Sequence, residues 1–375
     1  RFIRLIGNYV RNAGPFTIGD MSHRPEHLNE LGCGQAMIRD NVFESGGRCA
    51  GIVVNHGARQ VTIANNIFIN YNGDAITVSG HTARAGFPSK NMTITGNIID
   101  LSYRGEQPRS RVGIKIDASH VIAADNQIYV RGERIVGTTG IAITEGIEDV
   151  NVHDNLIRNC GFGLKAGRHP SSVAKVHDAR TFTDSSLPLE WQVSHRYRGW
   201  KLAWLADQTR SVIDQFDPET FRFALVDPRP GMKSGDSFHL FPPQARWTIH
   251  DNTITDCMIP VTLDAYGSAT STLRHNVITR GSAEDVASAL KLAGQFNLIG
   301  NQFQGFDLPG GSALELLPGR GGSKAQTLMR DNLFQDCPIP VLERAAGLWN
   351  ACARDGNLYA ATAGGSLLPL GAAKT

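Results

Sequence analysis

Val61-Thr62-Ile63-Ala64-Asn65-Asn66-Ile67-Phe68 and Met92-Thr93-Ile94-Thr95-Gly96-Asn97-Ile98-Ile99 are two copies of one phrase. Apolar residues alternate, a polar residue follows, then Asn, then a short apolar run. Trp247-Thr248-Ile249-His250-Asp251-Asn252-Thr253-Ile254 is a third copy. The Asn recurs at positions 8, 41, 66, 97, 126, 155, 252, 276, 301, 332 and, more weakly, 357. A period of this kind is the mark of a solenoid. Each unit also holds a second apolar pair after a small residue, as in Gly51-Ile52-Val53-Val54, Gly113-Ile114-Lys115-Ile116, Gly140-Ile141-Ala142-Ile143 and Pro260-Val261-Thr262-Leu263. Spacing of two within each pair predicts strands with one face inward. Asn enters the left-handed region cheaply, so the Asn is expected to make the turn itself. Identical turns stacked coil on coil would join their amides in a ladder.

Composition agrees. The chain has 375 residues, 40 of them Gly, and only 19% are charged. A formal net charge of +2 excludes a global basic field for nucleic acid. No run of 18 apolar residues spans a membrane. Six Cys in a chain this long do not make a disulfide scaffold. Cys160, Cys257 and Cys337 each fall five residues after a repeat Asn, which predicts buried thiols. His153, His250 and His275 precede a turn Asn and are expected outside the coil. No signal peptide is visible, and the chain opens in mid-repeat with Arg1, so an upstream segment is expected.

The repeat resembles the right-handed parallel β-helix of the pectin-lyase-like superfamily, over about residues 2–170 and 246–350. The expected fold is all-β: a solenoid of about ten to eleven coils formed by 1–170 and 246–360, with a C-terminal tail at 361–375. The long gap between Asn155 and Asn252 predicts one inserted small antiparallel β domain, an open sheet or a barrel, at 171–245. It gathers Trp191, Tyr197, Trp200 and Trp204, either as its own core or as a wall on which sugars stack.

The resemblance implies chemistry on the outer face of the sheet built from the Gly-Ile-x-Ile segments. It also implies a polysaccharide or oligosaccharide partner, and a secreted, periplasmic or cell-surface location. Inward pairs there are expected to include Phe162/Leu164, with Val53, Thr77, Lys115, Ala142, Gly163, Thr262, Lys291 and Glu315 in one outward column. Asn55, Ser79, Asp117, Thr144, Lys165, Asp264, Ala293 and Leu317 fill the other. Lys165 and Asp264 would then be direct neighbours, with His169 and Tyr266 converging on them at the base of the insertion. These four are the candidate catalytic residues. Lys115, Asp117, Glu145, Arg168, Lys291, Arg104 and Arg109 are the candidate substrate-binding residues, the arginines because they suit carboxylate or sulfate.

β-Elimination of a uronate needs a cation to neutralise the carboxylate, a base for the C5 proton and an acid for the leaving oxygen. Lys165 with Arg168 fits the first role, His169 or a desolvated Lys the second and Tyr266 the third, with Asp264 tuning Lys165 or His169, or holding Ca2+. A hydrolase would instead use Asp264 with Asp117, Glu145 or Glu315. Asp117 is expected about three coils, roughly 14 Å, from Asp264, beyond a usual glycosidase pair, whereas Asp117 and Glu145 lie one coil apart. A non-catalytic glycan-binding protein is the third reading. Many relatives use Ca2+, but no acidic cluster here is specific enough to assign it. His23, Glu26 and His27 are a weaker metal candidate, read as a polar loop.

Overall fold

The computed structural model describes residues 2–12, 14–19, 34–45, 50–55, 58–79, 90–105, 111–144, 147–167, 171–184, 197–207, 209–217, 219–241, 246–264, 271–281, 288–293, 296–309, 311–317, 327–345, 347–361 and 368–369. Among them there are strands and turns and no α-helix, so none is long and apolar enough to cross a membrane. Three sheets of 11, 12 and 10 strands run the length of the solenoid, parallel throughout except for the antiparallel last strand of the second, Leu368–Pro369. One coil takes a strand from each. Lys90–Thr95 lies in the first sheet, Ile98–Asp100 in the second and Arg111–Asp117 in the third. Alternate side chains of all three sheets point inward and form one continuous apolar core.

The repeat Asn stacks as the sequence predicts. Nδ2 of each Asn donates to Oδ1 of the Asn on the next coil, unbroken from Asn8 to Asn357, at 2.9–3.0 Å. The same Oδ1 also accepts the backbone N–H of the preceding Asn, as Asn97 Oδ1 does from Asn66. The spare Nδ2 proton goes to carbonyls inside the corner; Asn126 Nδ2 reaches Ile94 O and Ala124 O at 3.0 and 2.9 Å. A buried side-chain amide is thus satisfied on both its groups.

One expectation is corrected. The left-handed residue is the one before the Asn: Asp40, Asn65, Gly96, Asp125, Asp154, Asp251, His275, Gly300, Asp331 and Gly356 have φ of 52–65°. The turn needs that conformation one step early so that the Asn amide can point into the corner. Short polar residues and Gly tolerate it best.

The coil of Asn155 continues directly into the coil of Asn252. Val150–His153 pairs in parallel with Trp247–His250, and Asn155 Nδ2 reaches Asn252 Oδ1 at 2.9 Å. Between them, Ser171–Phe241 builds a seven-stranded antiparallel sheet with its own core. Tyr197, Trp200 and Trp204 are buried in that core beside Phe182, Phe223 and Phe238. They hold the insertion together and do not offer a wall for sugars. Trp191 lies outside the described residues.

Two outcomes are expected. Asn126→Ala strands the backbone N–H and one Nδ2 proton of Asn97 inside the corner. At about 1–3 kcal/mol for each buried unsatisfied group, the denaturation midpoint should drop sharply, and Asn126→Asp, which sets a carboxylate oxygen against Ile94 O, Ala124 O and Asn155 Oδ1, should lose at least as much. Replacing 171–245 by a short linker should leave a solenoid with a cooperative transition, measured by circular dichroism. Loss of that transition would show that the insertion's aromatics are needed by the main core.

Candidate functional site

The outer face of the third sheet has a register different from the one expected across the coil of Asn155. Ile141 pairs with Leu164, Ala142 with Lys165 and Ile143 with Ala166. The inward pair is therefore Leu164/Ala166, and Phe162 is partly exposed. The reason is Gly163. A Cβ at residue 163 would come within 2.4 Å of Pro260 O and 2.6 Å of Ile254 Cγ2, so only Gly fits there, as at Gly140 one coil earlier. Lys165 consequently lies abreast of Thr262, and Asp264 abreast of Gly167. Lys165 and Asp264 are not direct neighbours, as their expected columns required, but two positions apart along adjacent strands.

This shift moves Lys165 into the column of the other lysines. Val53, Thr77, Lys115, Ala142, Lys165, Thr262, Lys291 and Glu315 follow one another in register. Lysines recur at every second coil, spaced by about 9.6 Å at 4.8 Å per coil. The Lys165 ammonium is exposed and stands 5.1 Å from the centroid of the Phe162 ring. Among the described residues no carboxylate pairs with it.

Each end of the column carries carboxyl groups. At the N-terminal end, Asp117 is 3% exposed, two residues from Lys115 on the same outward face. Asp74, which no motif singled out, sits just before the third-sheet strand Ile76–Ser79 and accepts the Val112 N–H at 3.0 Å. Burial pushes its carboxyl up, and the charge of Lys115 with the Val112 hydrogen bond only partly opposes this. At the C-terminal end, Glu315 is buried and accepts from Arg344 Nε at 2.5 Å and Ser288 Oγ at 3.1 Å, with Lys291 Nζ at 3.6 Å. Burial alone would raise Glu315, but Arg344, Lys291 and Ser288 together hold it below the ordinary carboxylate range. It is an ionised member of a closed cluster and poorly placed to act as a proton donor.

The arginine loops are occupied. Arg104 Nη2 donates to Glu133 O at 2.8 Å and Arg131 O at 3.3 Å. Arg131 pairs with Asp100, Arg111 donates to Tyr103 O, and Arg134 Nε donates to Asp256 O at 2.9 Å. Arg104 and Arg131 tie neighbouring coils together, Arg134 reaches two coils along, and Arg111 bonds within its own coil. Glu145, Arg168, His169, Tyr266 and Arg109 lie outside the described residues, as do His23, Glu26 and His27. For Asp264 the described part is the backbone. Among the described residues no group of three His, Cys, Asp or Glu converges as a metal site.

A family model described as a right-handed β-helix region matches residues 27–180. A tailspike protein double mutant of E. coli bacteriophage HK620 is similar over 97% of this chain and 54% of its own, with TM-score 0.49 and 10% identity. Alginate lyase from Paenibacillus sp. str. FPU-7 aligns over 90% of this chain and 98% of its own, with TM-score 0.39 and 10% identity. For the mannuronan C-5 epimerase A-module of Azotobacter vinelandii the shares are 94% and 91%, with TM-score 0.41 and 10% identity. The chain spans about half the length of the tailspike protein. No curated protein matches it. With three parallel sheets closed around one core and a ladder of Asn at one corner, this chain is a right-handed parallel β-helix protein.

Proposed function

We propose that this protein is a carbohydrate-active enzyme. It binds an acidic polysaccharide along the outer face of the third sheet and cleaves it by β-elimination. The observation that carries the reading is the column Lys115, Lys165, Lys291, with one lysine at every second coil. Repeated cations on a long exposed face suit a linear polymer with repeated anions better than a single small molecule. Two coils span about 9.6 Å, comparable to two sugars of an extended 1,4-linked chain. In such a chain every second carboxylate faces the same side.

The roles follow from charge. Lys165, exposed and with no carboxylate partner among the described residues, neutralises the carboxylate of the sugar to be cleaved. That lowers the cost of removing its C5 proton, because negative charge moves onto the carboxylate in the transition state. Lys291 and Lys115 hold flanking sugars, and the Phe162 ring beside Lys165 offers an apolar surface to a pyranose face. His169 as base, Tyr266 as acid, Asp264 as their tuning group and Arg168 as a second cation belong to this proposal. In sequence, Arg168 and His169 follow the strand that carries Lys165, and Asp264 ends the strand that carries Thr262, with Tyr266 two residues on. A secreted, periplasmic or cell-surface location goes with such a substrate. Ca2+ has no site among the described residues on which to argue it.

A second reading, hydrolysis, has one observation in its favour. Asp74 is a carboxyl held up by burial, with the charge of Lys115 acting on it. A glycosidase needs one protonated and one ionised carboxyl group, and Asp74 has the environment of the protonated one.

Incubating the protein with polyuronates separates the readings. Elimination gives unsaturated ends that absorb in the ultraviolet, whereas hydrolysis gives reducing ends without that absorbance. Lys165→Ala is expected to cut turnover by about a hundredfold or more with the fold intact. Asp264→Asn should have an effect of the same order if it tunes a base, and at most about 1 kcal/mol of stability should change if it is a surface ion-pair member. Full activity in both variants would move the site off this pair of strands, to Asp117 and Glu145.

The Asp74 carboxyl supplies its own check. A carboxyl whose folded pKa lies above its unfolded value costs stability once the pH climbs past the unfolded value of 3.8, until the folded group has also ionised. The wild-type unfolding free energy should therefore decline over that window. Asp74→Asn should flatten the decline, read from denaturation midpoints at a series of pH values.

A further inference from the structure

Cys160 and Cys257 occupy the same place on the two coils that bracket the insertion. The register between these coils is constant. Arg158 pairs with Thr255 and Phe162 with Ile259, and Met258 N–H donates to Cys160 O at 3.0 Å. The two residues lie abreast on adjacent coils, and both are fully buried. Each also leans on the carbonyl two residues back, Cys160 Sγ on Arg158 O at 3.6 Å and Cys257 Sγ on Thr255 O at 3.4 Å. Residues abreast on adjacent coils are about 4.8 Å apart, inside the roughly 4.4–6.8 Å between Cα atoms that a disulfide bridges.

We propose that Cys160 and Cys257 form a disulfide that staples the two coils beneath the insertion when the chain folds in an oxidising medium. The oxidant is a small-molecule or protein disulfide. One thiolate attacks its S–S bond and releases a thiol, leaving a mixed disulfide. The second thiolate then displaces the remaining half. The chain loses two hydrogens, and the oxidant becomes two thiols. The neighbouring Cys257 thiol and burial hold the Cys160 thiol well above the ordinary range. Exchange is therefore slow once the core has closed, and the bond forms while the coil pair is still open.

The location gives the bond a purpose. Lys165 and Thr262 each lie five residues beyond one of these cysteines. The staple fixes the strand pair that carries the centre of the lysine column, at the point where the chain leaves the solenoid for the inserted sheet. Cys337 is the internal control. It occupies the same place after Asn332, but the matching residue one coil back is Phe306, so it has no thiol abreast on that side.

The test is thiol mapping on the full, unmodified chain. The protein is refolded in a buffer rich in glutathione disulfide, quenched in acid, alkylated under denaturing conditions, digested and analysed by mass spectrometry. The expected result is one dominant cross-linked pair joining the Cys160 and Cys257 peptides, lighter by two hydrogens than the sum of the free thiol peptides, with Cys337 alkylated. The thermal midpoint should fall when reductant is added during refolding. Recovery of Cys160 and Cys257 as alkylated thiols, or their linkage to any other cysteine, would overturn the proposal. Cys257→Ser should abolish the reductant-dependent shift, and the mapping decides the question even if that variant does not fold.

Discussion

The amide of one buried Asn, donating to the next along the solenoid axis, is the contact on which the rest of this molecule depends. It fixes each coil at one place in the corner between the first and second sheets, so the three strands of every coil start in phase with those before them. The apolar core then needs no precise jigsaw. Like residues stack on like, as Phe43 on Phe68 and Phe303 on Phe334. The ladder also crosses the insertion without a break, from Asn155 to Asn252. That is how a chain can leave the coil, build a separate sheet and return in register.

Coil phase decides which side chains share the outer face. The column from Lys115 to Lys291 exists because Gly140 and Gly163, inside their third-sheet strands, stand abreast where the next coil leaves no room for a Cβ. Moving Lys165 by two positions places a cation at every second coil and separates it from Asp264. The functional reading follows from that geometry. A repeating surface is suited to a repeating ligand, whereas the carboxyl groups at either end have environments too different to act alike. Glu315 is locked among Arg344, Lys291 and Ser288, while Asp74 is held up by burial.

Much of the fold was legible in the sequence because the Asn recurs once per coil and no other residue satisfies that corner as well. The insertion was legible as the single gap in that count. The left-handed residue was assigned one position late, although Asp, Gly, Asn or His stands before nearly every ladder Asn. The register at Lys165 was misread because the apolar residues Phe162, Leu164 and Ala166 allow two phases. Spacing held the answer: Gly163 follows Asn155 by eight residues, as Pro260 follows Asn252. Asp74 gave no signal at all, since a carboxyl at the end of a loop looks solvated until the fold buries it. The aromatics of the insertion were legible as a group. Which way they face depends on strand pairing that local sequence does not encode.

The central claim is that a linear polyanion lies along the axis on the lysine column. It is tested most directly by titrating size-defined uronate oligomers at low temperature, before turnover sets in. Lys115 and Lys291 are four coils apart, about 19 Å. Affinity should climb with oligomer length until that span is covered, then level off, and should weaken as salt is raised. Affinity that is already complete for a disaccharide, or that is indifferent to salt, would contradict the account.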